Sequence, residues 1–438
     1  MTELSSLMRG LVNQRFGVIK FLSEAAETLE LPHVHVASSL LTPGEYFRDN
    51  EPHQSTSGLQ ASGAGLSRSA ALWATVGESI ERYAAQIYDS ADFLRTSAER
   101  LGERAAPLGD FVPFKPAQHR IKGFRYARPT ADAVLQWCPG VRLRDGAPVW
   151  LPAHAVYLGL STRPGEPAFW PTMSTGLACG PNFDAALLSG VREIIERDAF
   201  STMWLLRWSP PRLTLDAAFL DQVDWRLQAL LREQYPLRFH LWFLPTDLGA
   251  PVVMAAVQGQ EGEITFGACA GLSLLGASEK ALIEACHTWI WSRRFVDDAK
   301  KLKQHPLDAR DVVNADSRLH VSYYLRSINS VNLDFLLSGQ SAEAASNVNQ
   351  RLMPISAERL FESVYATGRE IYFVDVTPAD VAAAGLSVVR ALISRTQQFF
   401  FGHAIRNAPL GAMRLAEAAS YLGIKERRRV NRYPHPFP

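Results

Sequence analysis

Apolar residues recur at steps of three and four over residues 69–88, at Leu72, Val76, Ile80, Tyr83 and Ile87. That spacing predicts an amphipathic helix with one buried stripe. Residues 183–204 repeat the pattern with Leu187, Leu188, Val191, Ile194 and Ile195. A third helix is expected over 278–294, with Glu279 in its first turn, and 23–31 is also helical in pattern. Residues 34–37, 237–244, 251–257, 265–274, 372–376 and 388–393 read as strands. Residues 107–171, cut often by Pro and Gly, read as short strands and turns, and 300–350 as mixed helix and loop. Ser62-Gly63-Ala64-Gly65 and the stretch 174–182 read as glycine turns, each feeding one of the first two helices. The chain is therefore expected to be α+β, with two similar halves.

On the first helix Glu78 and Glu81 lie opposite the apolar stripe; on the second, Glu193 and Glu196 do the same. Each pair spans three residues and is followed by an arginine, Arg82 or Arg197. A single such pair reads as a solvated face. Here the neighbours are Ala71, Ala74, Gly77 and Ala85, then Ala185, Ala186 and Ser189, so something approaches these faces closely. Hard dications such as magnesium take oxygen ligands and share them with phosphates, and four glutamates on two helices suit that chemistry. Arg82, Arg197 and Arg390 could then meet phosphate oxygens, although Arg390 inside an apolar strand also reads as an ion-pair partner. No GxxxxGK[ST] motif occurs, so the phosphate cradle differs from a P-loop. Glu284 and His287 are three apart on the third helix. A di-iron site uses such a pair twice in a helical bundle, which a strand-rich chain with Glu/Glu pairs does not match. His287 alone also reads as a packed side chain.

Composition narrows the classes. The 438 residues are 47% hydrophobic and 20% charged, enough for a sizeable core in one to three domains. A net charge of +1, from 45 basic and 44 acidic residues, gives no reason to expect nucleic-acid or membrane binding. No apolar run reaches about 18 residues, so no membrane span is expected. Residues 1–22 carry Glu3, Arg9, Arg15 and Lys20, without the apolar core of a signal peptide. Cys138, Cys179, Cys269 and Cys286 form no CxxC pair and read as reduced thiols of a cytoplasmic protein. The last residues, Arg427-Arg428-Arg429 and then Pro434-His435-Pro436-Phe437-Pro438, predict an extended, polyproline-like segment. By itself such a segment also reads as a tag or as a ligand for a separate domain.

With these residues laid out, the sequence resembles the YcaO family over about residues 55–405. Gly63 to Arg82, ending in Gly77-Glu78-Ser79-Ile80-Glu81-Arg82, is similar to the family's first block, a GKG turn leading to GExxER. Gly176-Leu177-Ala178-Cys179-Gly180 with Glu193-Ile194-Ile195-Glu196-Arg197-Asp198-Ala199 resembles the second. Ala281 to Ala285, Asp375-Val376-Thr377 and Gly385 to Arg390 resemble later blocks. Ala64 departs from the usual lysine, and Ser189 and His287 stand where glutamine is frequent. The resemblance implies a YcaO-type fold around a central ATP and Mg2+ site. It implies Glu78, Glu81, Glu193 and Glu196 as metal ligands, and Arg82, Ser189, Arg197, Glu284, His287 and Arg390 as the ATP-binding set. Azoline-forming members end in PxPxP, which Pro434, Pro436 and Pro438 reproduce.

The activity this implies is ATP-dependent cyclodehydration of Cys, Ser or Thr in a ribosomally made precursor peptide. The substrate side chain attacks the preceding carbonyl, the resulting oxygen is phosphorylated, and loss of phosphate leaves a thiazoline or oxazoline. The nucleophile belongs to the substrate, and the PxPxP segment is expected to assist as base, through His435 or the Pro438 carboxylate. Thioamide- or amidine-forming relatives and a non-catalytic scaffold are the alternatives. Expected partners are the precursor peptide, a ubiquitin-activating-enzyme-like leader-binding protein, an FMN-dependent azoline dehydrogenase and a second copy of the chain. The domain plan expected is an adaptor over 1–54, a catalytic domain over 55–425 and a basic, Pro-rich tail over 426–438.

Overall fold

The computed structural model describes residues 10–25, 30–42, 59–111, 114–160, 163–232, 236–293, 317–339, 341–402, 407–410, 413–425 and 429–438. The 54/55 boundary and Arg427 and Arg428 therefore lie outside the described residues. In chain order, the first elements are β1 (Ile19–Glu24), β2 (His35–Leu41), β3 (Gln60–Gly65), α1 (Arg68–Ala84), β4 (Leu94–Ser97), β5 (Val134–Arg142) and β6 (Ala147–Pro152). Then come β7 (Leu177–Gly180), α2 (Phe183–Leu206), β8 (Arg212–Thr214), β9 (Arg238–Leu244), β10 (Val252–Gln258), β11 (Ile264–Ala270) and α3 (Leu274–Ser292). The last are α4 (Ser317–Tyr324), β12 (Ala342–Ala344), β13 (Ile371–Asp375), β14 (Ser387–Ile393) and α5 (Arg414–Tyr421), with further helices between the labelled elements.

The chain divides into two compact units: residues 1–25, 35–194 and 368–396 form the first, and 26–34, 195–367 and 397–438 the second. The first unit holds two sheets. One is the antiparallel β1-β2-β3; the other has the order β4-β5-β13-β14-β7, with β6 on β5. Helix α1 covers β3. Its cap is Ser67, whose side chain accepts from the Ala70 N–H at 3.2 Å, and Val76, Ser79, Ile80 and Tyr83 form its buried face. Burying Val76 and Ile80 contributes on the order of 2 kcal/mol each.

The second unit holds the sheet β11-β10-β9-β8-β12 with α3 against it. Residues 252–257 are apolar throughout and fully buried, as a strand covered on both faces must be.

Several expectations are corrected. Ser62 to Gly65 is not a turn but strand β3. A Cβ on Gly63 would lie 2.4 Å from the Thr75 nitrogen, and one on Gly65 would lie 2.6 Å from Ala70 Cβ. These glycines let a helix lie directly on a strand, and β3 is what approaches the small residues of α1. Residues 177–180 are likewise strand; only Gly176, at φ 85°, makes the expected turn. Ser23 and Glu24 end β1 instead of opening a helix, and 26–29 lie outside the described residues. Helix α3 starts at Leu274, because Ser273 caps it by accepting from the Gly276 N–H, so Glu279 falls in the second turn. The unit boundary falls between Ile194 and Ile195, so Glu193 belongs to the first unit and Glu196 to the second.

Candidate active site

In the first unit three glutamates are each held by a different backbone amide. Ser62 of β3 donates its N–H to Glu78 Oε2 at 3.1 Å. Cys179 of β7 donates to Glu81 Oε1 at 2.8 Å. Gly176 donates to Glu193 Oε2 at 2.8 Å. Arg82 clamps Glu78 through Nε at 3.0 Å and Nη2 at 2.6 Å.

The local fold explains these aims. β7 pairs antiparallel with β14, setting Leu177 opposite Arg390 and Ala178 opposite Val389. Ala391 donates its N–H to the Gly176 carbonyl at 2.7 Å. A Cβ on Gly176 would lie 2.3 Å from the Ala391 oxygen, and one on Gly190 would lie 2.6 Å from the Gly176 oxygen. Two glycines thus bring α2 against the turn, and Glu193 reaches the Gly176 amide. Arg390, buried in β14, donates to the carbonyls of Ala155 at 3.0 and 2.8 Å and Met173 at 2.6 Å. It therefore fixes the segment leading into that turn.

The electrostatics single out Glu81. Burial first, then the charges of Glu193 and Glu78, push its carboxyl well above the usual carboxylate range; the Cys179 N–H and Arg82 oppose the shift. Burial, with Glu81 nearby, also pushes the Cys179 thiol up to about 12, so it stays protonated. Crowded carboxylates that repel one another are stabilised by a cation. Among the described residues no three or more His, Cys, Asp or Glu side chains are grouped closely enough to hold a metal ion by themselves. Magnesium does not require such a group, since it keeps waters and takes phosphate oxygens beside one or two carboxylates. The donor chemistry of Glu78, Glu81 and Glu193 fits such an ion. Ser189 is half-buried on α2.

In the second unit Glu196 accepts the Ala270 N–H at 3.2 Å. The Arg197 guanidinium lies over the Phe399 ring, 5.0 Å from its centroid. Glu284 and His287 stand 3.8 Å apart, with side chains 55% and 13% exposed. The Pro-rich segment is docked rather than loose. Trp204 Nε1 donates to the Tyr433 carbonyl at 3.1 Å, and the Tyr324 hydroxyl to the Pro434 carbonyl at 2.7 Å. Pro434, His435 and Pro436 are buried, while Pro438 is exposed.

Two features escaped the sequence reading. Asp198, adjacent to Arg197, is buried with Arg414, which also meets Asp247. Burial opposes the Arg414 charge, but the two carboxylates outweigh it and raise its pKa. His320 lies beside His435 from a stretch whose pattern was too mixed to read. Only the Arg-Asp-Ala block around Asp198 carried any signal.

Residues 62–397 match the model of the family described as YcaO cyclodehydratase, ATP- and Mg2+-binding. The chain belongs to the YcaO family. ATP and Mg2+ are this family's ligands, and the mixed α+β architecture is the YcaO fold. A heterocyclase solved in complex with substrate and cofactor is similar to this YcaO chain at TM-score 0.77 and 19% identity. It covers 100% of this chain and 57% of its own. The heterocyclase TruD is similar at TM-score 0.61 and 22% identity, over 85% of this chain and 51% of its own. YcaO from Methanopyrus kandleri, solved with AMPPCP and Mg2+, is similar at TM-score 0.59 and 19% identity, over 99% and 93%. An uncharacterized protein in the tfuA 3' region of Rhizobium leguminosarum bv. trifolii is 30% identical over 201 residues, 44% of each chain. This YcaO chain thus spans about half the length of the first two heterocyclases and matches under half of the Rhizobium protein. Among the described residues no helix is long and apolar enough to cross a membrane.

Proposed function

We propose that this chain is a cytoplasmic, ATP-dependent cyclodehydratase that converts Cys, Ser or Thr of a ribosomally made precursor peptide to thiazoline or oxazoline. The observation that carries this reading is the amide-held set Glu78, Glu81 and Glu193, with the Glu81 carboxyl raised by burial and by its two neighbours. Magnesium-bound ATP supplies the phosphoryl group that turns the peptide's carbonyl oxygen into a leaving group. Glu78, Glu81 and Glu193 would hold the metal, their carboxylates fixed in advance by backbone donors. Glu196 is carried as a further ligand on the family resemblance. Ser189, Arg82 and Arg390 in the first unit are proposed as nucleotide contacts. Arg197, Glu284 and His287 are carried as contacts on the family resemblance.

The docked segment 434–438 supports ring formation over other amide chemistry. Its proposed task is to bring a base to the substrate's side chain, with His435 or Pro438 the candidates named by the sequence. His435 is fully buried in this conformation, which leaves the exposed Pro438 end as the better placed of the two. Proposed partners are the precursor peptide, a ubiquitin-activating-enzyme-like leader-binding protein, an FMN-dependent azoline dehydrogenase and a second copy of the chain.

The test is the mass of precursor peptide incubated with the protein, its leader-binding partner, ATP and Mg2+. The expected result is loss of one water per modified residue, with ADP and phosphate released. In a parallel reaction with added sulfide, exchange of oxygen for sulfur would assign a thioamide-forming enzyme instead, and an unchanged mass in both would favour a scaffold.

A further inference from the structure

Two buried histidines of the second unit face each other where the Pro-rich segment docks. His320 Nδ1 lies 3.2 Å from His435 Nδ1 and 2.8 Å from the His435 carbonyl oxygen, and His320 Nε2 lies 2.7 Å from the Gly402 nitrogen. The Gly402 N–H can only donate, so His320 Nε2 accepts and the ring proton sits on Nδ1, donating to the His435 carbonyl. His435 Nε2 reaches the Phe400 carbonyl, which can only accept, so that nitrogen carries the proton. His435 Nδ1 is then the acceptor, and it takes the Phe437 N–H at 3.4 Å. The hydrogen bonds therefore specify one neutral tautomer for each ring. A second proton on either ring would point at an N–H.

The surroundings oppose charge as well. His435 sits among Phe200, Phe399, Phe400, Phe401 and Phe437. The charged and titratable groups facing the pair are Arg197 and His320, each of which repels a charged His435; the His435 carbonyl, by contrast, favours charge on His320. Tyr324, which holds the Pro434 carbonyl from the same helix as His320, has Tyr323, Tyr433 and Arg207 around it. Burial lowers His320 to about 3, outweighing its bond to the His435 carbonyl, and burial with the His320 charge lowers His435 well below the ordinary range.

We propose that His320 is a positioning residue which, with His435, latches segment 433–438 in a closed state that acid opens. The latch holds the segment at both ends of His435: His320 takes its carbonyl, and the His435 ring takes the Phe437 N–H. His435 is thus an anchor, its one basic nitrogen already occupied. Opening the latch exposes both rings to ordinary histidine behaviour. The open state then gains protons that the closed state does not, and the closed-to-open ratio falls about tenfold per pH unit for each histidine below about 6.5.

The bearing of the latch on cyclisation rests on the function proposed above; its existence does not. Amide hydrogen exchange of residues 431–437, corrected for intrinsic rates, reads the latch without any turnover. Protection in the wild-type protein is expected to fall at least tenfold between about pH 7.5 and about pH 5. His320→Leu removes donor and acceptor and should lose that protection at both values. His320→Gln keeps a donor and an acceptor but cannot titrate, so it should stay protected at the higher pH and show a shallower fall. In cyclisation assays His320→Leu should lower kcat about tenfold or more with the KM for ATP little changed, and His320→Gln should restore it. Wild-type-like protection in His320→Leu, or wild-type protection that ignores pH, overturns the latch. A protected segment in a protein that leaves every precursor peptide unmodified counts against the cyclodehydratase reading alone.

Discussion

The Cys179 N–H donates to Glu81 Oε1 at 2.8 Å, tying the edge of β7 to the acidic face of α1. This bond lowers the cost of a charge at Glu81, yet burial and the Glu193 and Glu78 charges still hold its carboxyl above the ordinary range. Between the unfolded value and that raised value the folded protein binds the extra proton, so metal-free stability falls as pH rises through the window. Glu81→Gln removes the titration. The metal-free variant should melt at or above the wild-type temperature near neutral pH and show a flatter pH dependence. A lower melting temperature at neutral pH, with unchanged slope, would contradict the assignment.

Gly176 carries the amide that holds Glu193, at φ 85°. An alanine there adds about 1–2 kcal/mol of left-handed strain, and its Cβ would meet the Ala391 oxygen at 2.3 Å. Gly146, at φ 69° with nothing within 4 Å of a Cβ, incurs the strain alone. Thermal unfolding should therefore rank Gly176→Ala well below Gly146→Ala. Only the former should weaken Mg2+-dependent nucleotide binding. Equal melting temperatures would mean the turn is not held as described.

Arg414 and Asp198 are almost wholly buried, with Asp247 completing the group. Arg414→Met leaves a buried carboxylate without its cation, at a cost of about 3–5 kcal/mol. Adding Asp198→Asn should recover part of that loss. Urea midpoints of the single and double variants measure both, and an unshifted midpoint in Arg414→Met would show that the ion pair does not hold this part of the unit together.

Much of this was legible in the chain. The stripe Val76, Ile80 and Tyr83 predicted α1, and the repeated Glu-x-x-Glu-Arg pattern located the carboxylates, because helical period places such residues on one face. What approaches that face was not legible. Gly63 and Gly65 read as a turn, since glycine serves equally for left-handed backbone and for close contact, and only the register of β3 against α1 separates the two. The partners of Glu81 and Glu193 are backbone amides of Cys179 and Gly176, which no side-chain pattern reports. His320 and Arg414 meet His435 and Asp198 across long sequence separations, from stretches with no periodic signal of their own.

Removing residues 434–438 should strongly reduce cyclisation while leaving nucleotide affinity within about threefold, since the carboxylate set lies elsewhere in the chain. Peptide mass and nucleotide titration on the same preparation separate the two effects, and unimpaired cyclisation would contradict the role given to this segment.

The most direct test of the central claim is the Mg2+ dependence of nucleotide binding in the wild type, Glu81→Gln and Glu193→Gln, each checked for an unchanged fold by circular dichroism. Metal ligation by these carboxylates predicts that Mg2+ tightens ATP binding by about tenfold or more in the wild type and by little in either variant. The same Mg2+ enhancement in all three proteins would contradict it.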